Sequence, residues 1–234
     1  MTVPLTEHQP VSAAVVSDMD GTLSTVETWR GVQAWIEANH PSPAARRFVL
    51  TQLPFIGLAR SGIYDREAFR ARWLKNQARL LRGVPEDGLR QMGQWVVDHY
   101  LWPARREVAI RALSAAIIQA RAADPATVVV LASGAYLPIA EAFAARVGAD
   151  IALGTPLEVL DGAATGRLSG PVPTGPLKAH AVRERVAGAP VLAAFGNTAA
   201  DFPMLELARR PVAVAPDNRL RRTAIDRGWE VLEG

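Results

Sequence analysis

The chain has 234 residues, 49% of them apolar and 21% charged, and a formal net charge of +3. That balance excludes a disordered polyelectrolyte and leaves room for one large domain, or for a core domain carrying an insert. With no cysteine in the chain, disulfides and thiolate metal sites are excluded, and a reducing compartment is the expectation.

The basic excess comes from 24 Arg and two Lys, Lys75 and Lys178. The arginines are scattered among acids rather than packed in a run, so they read as ordinary surface cations and no nucleic-acid partner is expected. The opening MTVPLTEHQP has no basic n-region and no apolar h-region, so no leader is expected and the cytoplasm is the expected location. Ser133, Gly134, Pro138 and Glu141 interrupt the apolar stretch 127–145, which is therefore no membrane span.

Residues 13–17 predict a first strand, followed by a turn over 18–21. From about residue 26 to 99 the pattern is helical. VETWRGVQAWIEANH places Val26, Trp29, Val32, Trp35 and Ile36 at a 3.6-residue period. Further helices are predicted over 44–58, 65–81 and 86–100, separated at Pro41 and Pro43 and at Gly83 and Pro85. After Pro103 strands and helices alternate: helix 104–122, strand 127–132, helix 137–147 and strand 151–154. LEVLDGAATGRLSG reads as a hairpin turning at Asp161-Gly162. Helix 178–187, strand 191–195, a helix from about 203, strand 212–214, helix 220–227 and strand 230–232 follow. This alternation predicts an α/β fold with a doubly wound, Rossmann-like parallel sheet. The division expected is 1–24 and 101–234 as core, with an inserted all-helical domain at 25–100.

Ligands of an open parallel sheet bind beyond the carboxyl ends of its strands. The polar residues expected there are Asp18 and Asp20, Ser133 and Gly134, Asn197 and Asp201, with Lys178 opening the helix before strand 191–195. Such a set suits phosphoryl transfer. Carboxylate oxygens bind a hard cation such as Mg²⁺. Asp18 is the candidate nucleophile, and Asp20 the candidate acid and base. Ser133 and the Gly134 N–H suit phosphate oxygens, and Lys178 a developing negative charge. The stretch DMDG is not a calcium-binding EF-hand loop, because Thr22 and Trp29 occupy positions where oxygen ligands belong.

DMDGT (Asp18, Asp20, Thr22), LASG (Ser133), Lys178 and GNTAAD (Asn197, Asp201) together resemble the four motifs of the haloacid dehalogenase superfamily, in the branch that includes phosphoserine phosphatase. The resemblance spans about residues 13–215. It implies a Rossmann-like core with a helical cap at 25–100, Mg²⁺ and an aspartyl-phosphate mechanism. The implied metal ligands are Asp18, the Asp20 backbone carbonyl and the residues of the last motif, Asn197 and Asp201. The branch usually has Asp where this chain has Asn197. Three consequences stay open: a working phosphatase with a variant ligand, a weak or inactive binding protein, or a metal held directly by Asp201. By the same resemblance Glu27 would meet a substrate amino group and Arg70 a substrate carboxylate. The implied partner is a small phosphorylated metabolite, phosphoserine being one candidate. The cap aromatics Trp29, Trp35, Phe48, Phe69, Trp73 and Trp95 are expected to pack on one another rather than line a ligand box. The oligomeric state is left open.

Overall fold

The computed structural model describes residues 11–44, 47–48 and 66–233. The helix expected at 44–58 falls largely outside them. Eight strands are described: β1 (Ala14–Ser17), β2 (Val128–Tyr136), β3 (Ile151–Thr155), β4 (Leu157–Leu160), β5 (Ala163–Leu168), β6 (Val191–Gly196), β7 (Ala208–Val214) and β8 (Glu230–Leu232). Six of them form a sheet in the order β3-β2-β1-β6-β7-β8, and every pairing in it is parallel. That is the doubly wound arrangement expected from the alternation of strands and helices. β4 and β5 form the separate hairpin. Asp161 and Gly162 at its tip have φ of 51° and 77°, the positive pair that a two-residue hairpin turn requires.

The helices described are α1 (Thr28–Asn39), α2 (Arg66–Ala78), α3 (Glu86–Val96), α4 (Glu107–Ala123), α5 (Leu137–Val147), α6 (Gly175–Val186), α7 (Phe202–Leu205) and α8 (Asn218–Asp226). They cover both faces of the sheet. β1 is fully buried and alternates between two apolar layers. Val15 joins Leu113 of α4 and Phe143 of α5, while Val16 joins Val182 of α6 and Leu220 of α8. Trp35, Ile36, Leu89, Met92 and Val96 of the helical insert belong to the same layer as Val15. The insert thus shares one apolar core with the sheet's first face.

Residues 23–25 run beside residues 104–106. Thr25 N–H donates to the Ala104 carbonyl at 2.9 Å and Arg106 N–H to Leu23 at 2.8 Å. Ser24 forms an antiparallel bridge with Arg105.

Several boundaries differ from the sequence expectation, each for a local reason. β2 continues to Tyr136, but its pairing with β3 breaks register between Ala132 and Tyr136. Ser133, Gly134 and Ala135 occupy that irregularity. The helix bearing Lys178 begins at Gly175, with Pro176 in its first turn, so Lys178 lies within the first turn rather than at the start. β7 begins at Ala208 despite Pro211, because β8 pairs only with Val212–Val214 and the upstream half is a free edge. Asp217 caps α8 by accepting from Arg219 N–H and Leu220 N–H, which starts that helix at Asn218. Val97–Leu101 continues α3 as a π-turn.

α3 reaches the core through Gly93. A Cβ there would overlap the Pro138 carbonyl oxygen and lie 2.6 Å from its carbon. Backbone at the start of α5 cannot give way as a side chain would. Gly93→Ala is expected to cost about 1–3 kcal/mol, read as a lower urea midpoint at unchanged slope. A midpoint equal to wild type would mean that α3 is not seated this closely.

Candidate active site

β1 delivers Asp18 to the carboxyl edge of the sheet, where its N–H donates to the Phe195 carbonyl of β6 at 2.9 Å. Asp18, Lys178 and Asp201 are all buried. Lys178 Nζ donates to Asp18 Oδ1 and to Asp201 Oδ1, at 2.7 Å each. The other oxygen of Asp18, Oδ2, accepts from Thr22 Oγ1 at 2.7 Å. The same hydroxyl lies 3.2 Å from Asn197 Oδ1. Asn197 presses on the turn so closely that Gly21, at φ 82°, has no room for a side chain.

Asp201 is spent on protein donors. Its Oδ2 accepts from Asn197 N–H at 3.1 Å, Thr198 N–H at 3.0 Å and Thr198 Oγ1 at 3.0 Å, while Oδ1 holds Lys178. The loop carrying Asn197 is braced in turn by Asp217, whose N–H donates to the Asn197 carbonyl at 2.9 Å.

Asp20 turns to the start of α1. Its Oδ2 accepts from Thr28 Oγ1 at 2.6 Å and its Oδ1 from Thr28 N–H at 3.3 Å. Glu27, at the N-cap position, makes no side-chain capping bond; Asp20 supplies the cap from outside the helix. Ser133 is fully buried. Its Oγ accepts from Ala135 N–H at 3.0 Å, and among the described residues its own proton has no acceptor. Thr155 Oγ1 donates to the Gly134 carbonyl at 2.8 Å, fixing the irregular stretch of β2.

Arg70 of α2 comes down onto this edge. Its Cδ lies 3.7 Å from where a Gly134 Cβ would be. Glu27 stays at the exposed rim, with Oε2 accepting from Trp29 Nε1 at 2.6 Å. Trp29 continues into an aromatic group centred on Trp73, with ring centroids 4.7 Å away for Trp29 and 5.0 Å for Phe48. Phe69 lies 5.9 Å from Trp73 as well, but Trp35 packs on His40 and Trp95 on His99 and Tyr100, so four of the six aromatics expected to pack on one another do so.

Burial sets the direction of the first titration. It pushes the Asp18 carboxyl up to about 6, with Lys178 opposing and Asp201 adding to the rise. Burial also raises Asp20, against the pull of Arg70 and Thr28. Burial would lower Arg70, but the carboxylates of Asp20, Asp18, Glu27 and Asp201 outweigh it. Desolvation likewise disfavours the charge on Lys178, yet Asp18 and Asp201 hold it protonated. Asp201 is pushed up by burial and brought below the usual carboxylate range by Lys178 and the two backbone N–H groups.

Among the described residues no cluster of three His, Cys, Asp or Glu side chains gathers for a metal ion. A hard-oxygen set of mixed type does converge. Asp18 Oδ2 and Asn197 Oδ1 reach one hydroxyl. The turn's backbone bonds use Met19 and Gly21 and leave the Asp20 carbonyl out. One carboxylate and two neutral oxygens fit a cation that keeps several waters, as Mg²⁺ does. The carboxyl groups Asp18, Asp20, Asp201 and Glu27 outnumber the cations Lys178 and Arg70, so the edge is acidic.

The sequence pattern brings Asp18, Asp20, Ser133, Gly134, Lys178, Asn197 and Asp201 to one edge, with Arg70 and Glu27 beside them. Thr28, Thr155 and Asp217 were not expected. Only the position of Thr28 at a helix start hinted at its bond.

The family model for haloacid dehalogenase-like hydrolases matches residues 15–206. Phosphoserine phosphatase SerB1 of Mycobacterium tuberculosis is 30% identical over 242 residues, which span 97% of this chain and 73% of that protein. A solved protein of unknown function from Bordetella pertussis superposes with a TM-score of 0.70 at 20% identity, over 95% of this chain and 98% of that one. A probable phosphoserine phosphatase from Vibrio cholerae superposes with a TM-score of 0.58 at 20% identity, over 90% of this chain and 58% of that one. At such identities the two superpositions speak to the fold alone. The chain belongs to the haloacid dehalogenase-like hydrolases. Within that family it is an enzyme of the phosphatase class.

Asp18 carries a checkable pH signature. Its carboxyl is raised from 3.8 to about 6 in the folded protein, so the folded state binds the proton more tightly. Stability from this group is full below pH ~4 and is lost as pH rises through ~6. With a chelator present, Asp18→Asn should therefore gain stability relative to wild type between pH 4 and pH 7, by on the order of 2–3 kcal/mol. Urea unfolding at both pH values checks this; a difference independent of pH would contradict it.

Proposed function

We propose that this phosphatase hydrolyses a small phosphomonoester through an aspartyl-phosphate on Asp18, with a divalent cation, Mg²⁺, at the site. One observation carries the reading: a buried carboxylate at the end of the central strand, held on one oxygen by an ammonium and on the other by a hydroxyl. Asp18, Asn197 and the Asp20 carbonyl would hold the cation, with Asp201 acting through Lys178 because its own oxygens are taken. When bound, Mg²⁺ would draw the phosphate oxygens in and offset their charge.

In the first step an Asp18 oxygen bonds to phosphorus, the bond from phosphorus to the leaving oxygen breaks, and Asp20 gives that oxygen its proton. In the second, Asp20 takes a proton from the attacking water, phosphate leaves and Asp18 returns as a carboxylate. The upward shift of Asp20 supports its holding a proton before the first step. Ser133 donates its unused hydroxyl proton to a phosphate oxygen. Lys178 keeps Asp18 aimed and offsets charge at the transferred group.

The substrate we favour carries a carboxylate and an amino group near its phosphate, as phosphoserine does. Arg70 would pair with the carboxylate and Glu27 with the amine. The name of the tuberculosis relative and the charges at the rim support this. Phosphate release from a panel of phosphomonoesters, with and without Mg²⁺, tests it. Metal-dependent turnover should fall by about 10³-fold or more in Asp18→Asn. Arg70→Met should raise KM for phosphoserine more than for phosphoesters without a carboxylate. No turnover at millimolar Mg²⁺ would favour the second reading, a binding protein disabled at Asn197.

Asn197 gives a separate outcome. An amide oxygen brings no charge to the cation, so Asn197→Asp should reach half-maximal activity at about tenfold less Mg²⁺ or below. An unchanged or higher metal requirement would remove Asn197 from the ligand set.

A further inference from the structure

A second concavity lies outside the site just described, between the helical insert and the hairpin. It is a groove of about 730 Å³ whose lining includes Lys75, Arg79, Arg82, Arg167, Gly166 and Leu168. Its walls are fixed. Arg79–Leu81 forms a 3₁₀ turn after α2, and the next residues pair with β5. Gly83 N–H donates to the Ala164 carbonyl and Ala164 N–H to the Val84 carbonyl, both at 2.8 Å. Gly166 approaches so closely that a Cβ there would lie 3.1 Å from Arg82 Cβ and 3.2 Å from Arg79 Cα. This contact brings the cations of the insert beside Arg167 of the hairpin.

The charges are not balanced. Arg167 pairs with Glu158 at 2.8 Å, and Arg82 Nε donates to the Thr165 carbonyl at 3.1 Å. Among the described residues Lys75, Arg79 and Arg82 have no carboxylate within ion-pair distance. Four cations and one acid leave three positive charges facing one space. Like charges gathered in a concavity repel one another unless an anion joins them. The volume is that of a metabolite pocket rather than a seat for one ion.

We propose that this groove binds a small molecule bearing two or more phosphate groups. Lys75 and Arg79 approach it from the helix side, and Arg167 from the hairpin side. The site does not depend on Asp18 turning over a phosphoester. Lys75 is five residues past Arg70 on α2, about 7.5 Å along the helix axis. The polyanion is therefore either the far end of a large substrate or a separate effector.

Inorganic tripolyphosphate is the probe, followed by calorimetry on the full chain. Wild type should bind it, more weakly as salt is raised. Lys75→Gln/Arg79→Gln, both exposed positions, should bind about tenfold or more weakly, with an unchanged melting temperature and unchanged turnover of a small monophosphate. Arg167→Gln should weaken binding independently. If tripolyphosphate alters monophosphate turnover in wild type but not in the double variant, the ligand is an effector. If the double variant instead raises KM only for a doubly phosphorylated substrate, the groove extends the substrate site. No binding by wild type at low salt would overturn the proposal. So would equal affinity in wild type and the double variant, which would assign the probe to the Asp18 site.

Discussion

Lys178 places its ammonium between Asp18 and Asp201, 2.7 Å from each, where almost no solvent reaches. Three separate parts of the chain meet at that nitrogen: the end of β1, the first turn of α6 and the loop after β6. None of the three groups is comfortable alone. Two buried carboxylates would repel each other, and a lone buried ammonium would shed its proton. Together they fix the spacing of the strand ends on which the other functional groups depend. Asp201 completes the arrangement by holding its own loop through three further hydrogen bonds.

Around this triad the sheet edge carries excess negative charge, and Asn197 lies close against the turn at Gly21. There the neutral Asn197 stands in exchange for the charged side chain usual in the branch this chain resembles. The same exchange relieves repulsion among carboxylates that burial already disfavours.

Much of this was legible in the sequence because the decisive residues follow strands. Strand ends in a parallel sheet are placed by topology, so Asp18, Ser133 and Asn197 could be brought together from spacing alone. Asp161-Gly162 announced its hairpin by the one backbone geometry that such a pair favours. The supporting bonds were not legible. Thr28 to Asp20, Thr155 to Gly134 and Asp217 to the Asn197 loop join residues with no shared periodicity. Element ends drifted where a proline, a cap or a register break acted locally, as at Gly175, Ala208 and Ser133–Ala135. The groove was the least visible feature. Lys75 and Arg79 read as solvated helix residues until the hairpin, some ninety positions later in the chain, closed over them.

The bond from Thr28 to Asp20 makes a helix terminus part of an acid. Ionised, Asp20 sits at the positive end of α1 and is favoured there by about 0.3–1 kcal/mol; protonated, it loses most of that attraction. Reciprocity makes the relation run both ways. Loss of the Thr28 bonds alone would tighten the acid's hold on a proton, and a proton taken up would weaken those bonds to the helix. The strength of the acid thus depends on where the insert's first helix stands as well as on burial and Arg70.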